Sequence, residues 1–255
     1  MNSNPIKVSG CVVTYNNASI ISECIESVLK WTKNYDFKLY ISDNGSTDGT
    51  VELIRRRFPQ VIVLENKRNL GFGGGHNRIL RKLDSKYHFV INPDIFVTQD
   101  VFGPMVDYLE VHRNTAMITP KIMNDNGTEQ QLPKRNPTIR YTILSKFKPF
   151  KHYRQIYTRE LENLNTPTDV DFCTGCFFAI RTSVFKRLKG FDKRYFMYME
   201  DADLSRMVRQ RYRIVFFPSV YVYHKWHREN LRNLRGILRW LKSMIQYYMK
   251  WGWEF

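Results

Sequence analysis

Three carboxylates, Glu200, Asp201 and Asp203, fall within four positions in the stretch Met197-Tyr-Met-Glu-Asp-Ala-Asp-Leu204, in a chain with a formal net charge of +16. The run before them, Phe191 to Met199, is largely aromatic and apolar. Carboxylates beside such a wall are partly desolvated and their pKa rises, as a general base requires. A structural reading stands beside this one. Acid in a first helical turn is stabilised by the helix dipole by about 0.3–1 kcal/mol per residue, and Asp203 can pair with Arg206 three residues on.

Other stretches place polar groups directly after apolar runs. Asn92-Pro93-Asp94 follows Phe89-Val-Ile91, so a carboxylate at a strand end, its approach stiffened by proline, could be an oxygen ligand for Mg²⁺ or Mn²⁺ on a diphosphate. Thr14-Tyr-Asn-Asn17 and Ser42-Asp-Asn-Gly-Ser-Thr-Asp-Gly49 could hydrogen-bond a base or ribose. Each of the three, taken alone, is also ordinary turn or cap chemistry. Asn69-Leu-Gly-Phe-Gly-Gly-Gly-His-Asn77 permits close backbone approach to a phosphate at a helix start. It is not a dinucleotide fingerprint, because His76 stands where the third glycine is required, and no Walker lysine follows. Cys173-Thr-Gly-Cys176 would elsewhere suggest zinc or redox exchange. Here there is no second cysteine pair, and neither His152 nor His224 is close in sequence, so buried thiols fit better. His224, after a run of aromatics, reads as a core histidine or as a ligand.

The elements that must hold these groups alternate. Val8–Thr14 reads as a buried strand and Ile20–Trp31 as a helix with one apolar face. Lys38–Ser42 is a second strand, followed by a helix capped by Thr47 or Asp48 and running through Arg57, and Val61–Leu64 is a third strand. A glycine-rich turn, a helix over Asn77–Leu83, a strand at Phe89–Ile91 and a helix over Val101–Val111 come next. This order predicts an α/β fold, a mostly parallel central sheet flanked by helices, with ligands at the carboxyl ends of strands. Asn126-Gly127 signals a hairpin. Leu132–Arg159, with eight Lys/Arg and no Asp or Glu, reads as a mobile basic excursion. Val170–Ile180 is strand-like, Thr182–Leu188 helical, and a helix runs from the acid cluster to about Gln210. Strands near Ile214–Phe217 and Val220–Tyr223 precede a basic helical tail. Without repeats or low-complexity linkers, the reading is one domain over 1–227 with 228–255 as its helical extension.

The balance of 40 Lys+Arg against 24 Asp+Glu implies an anionic partner: nucleic acid, an acidic membrane or a phosphorylated ligand. Met1–Lys7 lacks the order of a secretory signal, and no run of about 18 apolar residues follows, so a cytosolic protein is expected. Four cysteines make a disulfide framework unlikely to be needed and reduced thiols the expectation.

Taken in order, VVTYNN (12–17), SDNGSTDGT (42–50), NLGFGGGHN (69–77), INPD (91–94), CTGCFFAIRTSVFKRLKGFDKRYFMYMEDADL (173–204) and YVYH (221–224) resemble the family 2 glycosyltransferases of the GT-A fold. Within them the chain looks like the bacterial rhamnosyltransferase-type members, over about Val8 to His227. The resemblance implies a metal-dependent, inverting transfer of a sugar from a nucleotide diphosphate to an acceptor hydroxyl. It assigns Thr14, Tyr15, Asn16, Asp43 and Asn44 to the nucleoside, with Gly71 and Asn77 beside the nucleotide. The family's D-x-D is Asn92-Pro93-Asp94 here, so Asp94 becomes the carboxylate ligand of Mg²⁺ or Mn²⁺ and Asn92 a neutral helper. His224 matches a histidine that completes the metal site better than His227 does. Asp201 is implied as catalytic base, with Glu200 orienting it or the acceptor, and Asp203 falls to the structural reading. The favoured donor is dTDP-β-L-rhamnose and the acceptor a polyprenyl-diphosphate-linked glycan of cell-wall polysaccharide or O-antigen type. A UDP-hexose or UDP-galactofuranose is the alternative donor. The tail from Arg228, including Arg232, Arg235, Arg239, Lys242 and Lys250 among Trp and Tyr residues, suits a helix on the anionic inner face of the cell membrane. It would equally suit packing on its own domain or on a homodimer partner. A nucleic-acid-binding protein is the rival class, but no motif of that kind is present and the motif series would go unexplained.

Overall fold

A computed structural model describes residues 6–132, 134–225 and 234–255. The leader positions before Ile6, His227, Arg228 and Arg232 lie outside the described residues. The elements run β1 (Lys7–Thr14), α1 (Ile21–Thr32), β2 (Asp36–Asp43), α2 (Thr50–Arg57), β3 (Ile62–Glu65), α3 (Gly71–Asn77), β4 (Tyr87–Ile91), β5 (Ile95–Phe96), α4 (Phe102–Val111) and β6 (Thr115–Met123). They continue with α5 (Ile139–Thr142), α6 (Lys151–Thr158), β7 (Thr168–Asp169), β8 (Phe177–Arg181), α7 (Thr182–Arg187), α8 (Glu200–Arg209), β9 (Arg213–His224) and α9 (Leu234–Trp251).

One sheet has the order β3-β2-β1-β4-β8-β6-β9-β5, with β7 on β9. Strands β3, β2, β1 and β4 are parallel to one another, as the alternating sequence predicts; β8 is antiparallel to β4 and β6, and β6 and β9 are again parallel. Side chains alternate across the sheet with period two. Val8, Val12, Leu39, Ile41, Phe89, Ile91 and Phe177 face α1, α2 and α4, while Cys11, Val13, Val90, Phe178 and Ile180 face α7 and α8. In α1 the buried residues Ile21, Cys24, Ile25 and Val28 form the stripe read from the sequence.

The structure departs from the sequence reading in four places. The glycine-rich stretch is itself helix α3, and the predicted helix over Asn77–Leu83 is a run of turns. Packing overrides glycine's poor helix propensity: a Cβ on Gly73 would lie 2.7 Å from Phe191 Cβ, and one on Gly75 2.6 Å from Val13 Cγ1. Ile214–Phe217 and Val220–Tyr223 are one strand, β9, with a register irregularity against β6 between Pro120 and Lys121. Val170–Ile180 divides, because Cys173-Thr-Gly-Cys176 is not strand. The basic excursion folds into α5, two 3₁₀ turns and α6, and α5 is tied to the C-terminal residues by Ile139 N–H to Glu254 O at 3.0 Å. Asn126-Gly127 does make a tight turn, with Gly127 at φ +79° and a Met123–Glu129 bridge closing it.

Helix α9 packs one face on the body of the protein. Met244, Tyr247 and Tyr248 are buried with Phe172, Tyr195 and Ala202, and Ile139 and Ile143 of the excursion pack on the same cluster.

Candidate active site

The strand directions put every candidate group on one rim. Thr14 and Asp43 end β1 and β2 in register, and Asn92 follows the end of β4. Because β8 runs antiparallel to β4, pairing Ile91 with Phe177, the residues leading into β8 lie at this same rim. Asn92 N–H donates to Cys176 O at 2.8 Å. The antiparallel β5–β9 pair sets Ile95 opposite His224, which brings Asp94 to the end of β9.

Asp94 Oδ1 and His224 Nε2 are 3.2 Å apart, and Asn92 Nδ2 is 3.5 Å from the same ring nitrogen. The tautomer follows from Gln130. Its amide nitrogen donates to His224 O at 2.9 Å, since a carbonyl can only accept, and this turns Oε1 toward His224 Nδ1 at 3.1 Å. Nδ1 therefore carries a proton, and in the neutral ring Nε2 is the atom that faces Asp94 Oδ1. A buried carboxylate oxygen facing an imidazole nitrogen, with an amide beside them, could hold a divalent cation. Among the described residues no third His, Cys, Asp or Glu joins this pair.

The acid pair lies at the N-terminus of α8. Tyr198 and Met199, just before it, both have positive φ, +72° and +67°, in a segment held from two sides. Phe196 O accepts Phe72 N–H at 3.1 Å, and Met197 O accepts the Ser243 hydroxyl of α9 at 2.8 Å. Gly71 serves this contact: at φ +76°, a Cβ on it would come within 2.0 Å of Phe196 O. Glu200 is buried, its Oε2 has no partner, and burial followed by the neighbouring Asp201 charge pushes its pKa up. Burial also raises Asp201, but its two oxygens accept Gly175 N–H and Ala202 N–H, both at 2.9 Å, which favour the ionised form. Burial raises both acids, and the two backbone donors offset it at Asp201, which is therefore the easier of the pair to ionise.

Asp203 takes the structural role but not the partner read from the sequence. It is fully buried and accepts Lys250 Nζ at 2.8 Å and Trp251 Nε1 at 2.7 Å, while Arg206 goes to Glu254 and to Trp251 O. Arg206 lies on a more exposed face, where the C-terminal residues meet it.

At the other end of the rim, Tyr15 is about half exposed, and Asn16, at φ +54°, is fixed by its N–H to Ser46 Oγ at 2.8 Å. Asp43 is buried and accepts Gly45 N–H and Ser46 N–H at 3.0 and 2.9 Å, shaping the loop after β2. Thr14 Oγ1 donates to Asn17 at 3.0 Å. Asn44 and Asn77 do not present free amides. Asn44 bonds Gly71 O, Asn69 and Asn66, and Asn77 is spent on both backbone groups of Phe191, at 2.7 and 2.9 Å. The cysteines are free and buried, and burial raises their thiols, so Cys173 and Cys176 are packing groups. His76 is buried against Phe72 and Phe191, and burial holds it well below the usual histidine range and hence neutral.

Sequence reasoning passed over Gln130, Gly175 and Lys134. Lys134 pairs its backbone with Phe172, beside the turn that carries Gly175, and its charge acts on Asp201. A polar residue in a turn and one lysine among many carry no local signal; only the contact marks them.

The family model for glycosyl transferase family 2 matches residues 9–189, more than half of the chain. The chain belongs to this family. The match stops short of Glu200 and Asp201, whose grouping with the rest comes from the fold. Over 233 residues the transferase is 29% identical to the N-acetylglucosaminyl-diphospho-decaprenol L-rhamnosyltransferase of Mycobacterium tuberculosis, covering 84% of this chain and 75% of that one. It is 27% identical to the rhamnosyltransferase WbbL of Escherichia coli K12, covering 92% and 90%. Among solved structures, GalNAc-T7 with UDP, GalNAc and Mn²⁺ superposes with a TM-score of 0.71 at 17% identity, over 97% of this chain and about half (48%) of that one. The mannosyltransferase PcManGT of Pyrobaculum calidifontis, with GDP-Man and Mn²⁺, gives 0.65 at 17% identity, over 98% and 66%. The fold of the transferase is thus GT-A, and its relatives are rhamnosyltransferase-like.

Proposed function

We propose that the transferase moves L-rhamnose from dTDP-β-L-rhamnose, with inversion, onto a hydroxyl of a polyprenyl-diphosphate-linked glycan in cell-wall polysaccharide or O-antigen-type synthesis. The observation that carries the transfer chemistry is the presence on one rim of Asp94 with His224 and of Asp201, a buried acid that accepts two backbone N–H groups. The choice of rhamnose is supported by the two rhamnosyltransferase relatives, and that of a lipid-linked acceptor by the decaprenol in the name of one.

In this reading Thr14, Tyr15, Asn16 and Asp43 shape the nucleoside end of the site, while Asn44 and Gly71 build its floor. Asn77 locks α3 to Phe191 and is left out of the nucleotide contacts. Asp94 and His224, with Asn92 beside them, would hold a divalent metal. When bound, that metal supplies positive charge against the negative charge growing on the leaving phosphate oxygen. The acceptor oxygen bonds to the anomeric carbon as the carbon–phosphate oxygen bond breaks, dTDP departs, and the acceptor proton passes to Asp201. Both Asp201 oxygens already accept one N–H and keep a second lone pair for that proton. Glu200, holding its own proton, keeps a second negative charge away from the pair. A base at this place contributes about 10²–10⁴-fold.

Residues 1–227 and 228–255 form one functional unit in this reading, supported by the packed face of α9. Its other face exposes Leu234, Leu238, Ile245 and Met249 between Arg235, Arg239 and Lys242, and this face lies on an anionic membrane. Among the described residues no helix is long and apolar enough to cross one. The deciding experiment incubates the purified protein with dTDP-, UDP- and GDP-sugars and an acceptor glycan and reads released nucleotide. Release from dTDP-β-L-rhamnose, retained donor affinity and lost transfer in Asp201→Asn are expected. Preference for a UDP-hexose or UDP-galactofuranose would replace the donor, and near-normal turnover in Asp201→Asn would remove the base.

A further inference from the structure

Between β6 and β7 the acid-free stretch 132–159 spends only part of its charge on the fold. Arg135 and Arg159 pair with Glu162, and Arg140 donates to Phe255 O at 2.7 Å. Lys148, Lys151 and Arg154 are exposed and make no ion pair among the described residues. Interleaved with them are Phe147, Phe150 and Ile156, 58%, 37% and 43% exposed. A soluble surface gains nothing by presenting three large apolar side chains within ten residues.

These side chains are not scattered. Phe150 stacks on Tyr153 with ring centroids 5.9 Å apart and planes 6° apart. The Arg140 guanidinium lies 5.5 Å from the Tyr153 ring and 5.3 Å from the Phe255 ring. Phe150, Tyr153, Arg140 and Phe255 therefore form one continuous aromatic and cationic surface, and Phe255 is 66% exposed. Its backbone is fixed by a proline-containing 3₁₀ turn and by α5 on the C-terminal residues. Aromatic rings set among unpaired cations match a lipid interface, where rings sit at headgroup level and cations meet anionic headgroups.

We infer that the Phe147–Ile156 surface docks on an anionic phospholipid membrane, as a second contact distinct from the outer face of α9. The inference deepens the reading of a lipid-linked acceptor and rests on it for its purpose, though not for its observations. The same segment begins at Lys134, which bridges to Phe172 and whose charge acts on Asp201, so it runs from the docking surface toward the acid pair.

The test sediments the protein with phosphatidylcholine vesicles with and without phosphatidylglycerol. Two variants are compared, Lys148→Gln/Lys151→Gln/Arg154→Gln and Phe147→Ser/Phe150→Ser. Wild type should partition onto the anionic vesicles alone, less so as salt is raised. Each lost cation should weaken partition about fivefold, so the triple variant falls about a hundredfold. The phenylalanine pair should also reduce it, with thermal unfolding of both variants unchanged. Transfer onto a water-soluble acceptor should stay at the wild-type level in both, which separates docking from chemistry. Wild type that does not bind anionic vesicles, variants that partition like wild type, or wild type that prefers single-stranded RNA to vesicles would each overturn the inference. Equal loss of soluble-acceptor transfer would overturn it too, by assigning the segment to catalysis. Absence of transfer from every nucleotide sugar would instead remove the proposed function and leave the vesicle result standing.

Discussion

Replacing Lys250 with methionine is the most demanding test of how the site is held. Asp203 is fully buried on α8, two residues after Asp201, and the Lys250 side chain is only 20% exposed. Removing the lysine leaves a buried carboxylate with the Trp251 indole at 2.7 Å and the Tyr195 hydroxyl at 3.4 Å as donors, and takes a cation from Asp192 as well. Breaking a buried pair in this way costs about 3–5 kcal/mol, against about 0–1 for an exposed one. For a chain of this size that is about 10 °C in Tm. The pH dependence has a definite sign. Burial raises the Asp203 pKa, and the Lys250 and Trp251 bonds pull it back only in part. A raised folded-state pKa gives stability that is fully present below the unfolded value and lost as pH rises through the folded one. Lys250→Met raises that pKa further, so the deficit of the variant should shrink as pH falls through its raised Asp203 pKa toward the ordinary aspartate value. Urea denaturation at several pH values measures this. In the double variant with Asp203→Asn the losses should fall short of their sum, because no charge is left stranded. A loss below about 1 kcal/mol, or a deficit that widens as pH falls, would refute the reasoning.

Two further substitutions test other joints of the site. Gln130→Leu should weaken Mn²⁺ binding in the presence of dTDP by about 10–100-fold by calorimetry, because the His224 Nδ1 proton loses its acceptor; unchanged affinity would mean Gln130 does not set the ring. Gly71→Ala should lower both stability and turnover by moving the Phe196 loop that leads to the acid pair. Gly49→Ala is its control: φ is +86° there but nothing lies within 4 Å of the added Cβ, so it should show only the backbone strain of about 1–3 kcal/mol. Equal effects of the two would show that the Phe196 contact does not matter.

What the sequence made legible was what is local. The β/α alternation up to α4 comes from period-two and helical apolar patterns, and strand ends followed by Thr14, Asp43 and Asp94 mark the rim without any long-range information. Glycine misled the reading at α3, because the stretch looks like a turn unless Phe191, Phe196 and Val13 are known to press on it. Asn77 shows the same dependence on distant residues: its amide is claimed by Phe191, 114 residues away.

The acid cluster states the limit most sharply. Three carboxylates in four positions look alike to any local rule, since all three share one helix dipole. The fold separates them by what arrives from elsewhere: an unpartnered burial for Glu200, the Gly175 N–H for Asp201, and Lys250 with Trp251 for Asp203. Those donors come from the loop before β8 and from the last turn of α9. The differences among them were therefore never in the tetrapeptide itself, and moving Lys250 or Gly175 should redistribute charge among the three carboxylates as surely as mutating the acids.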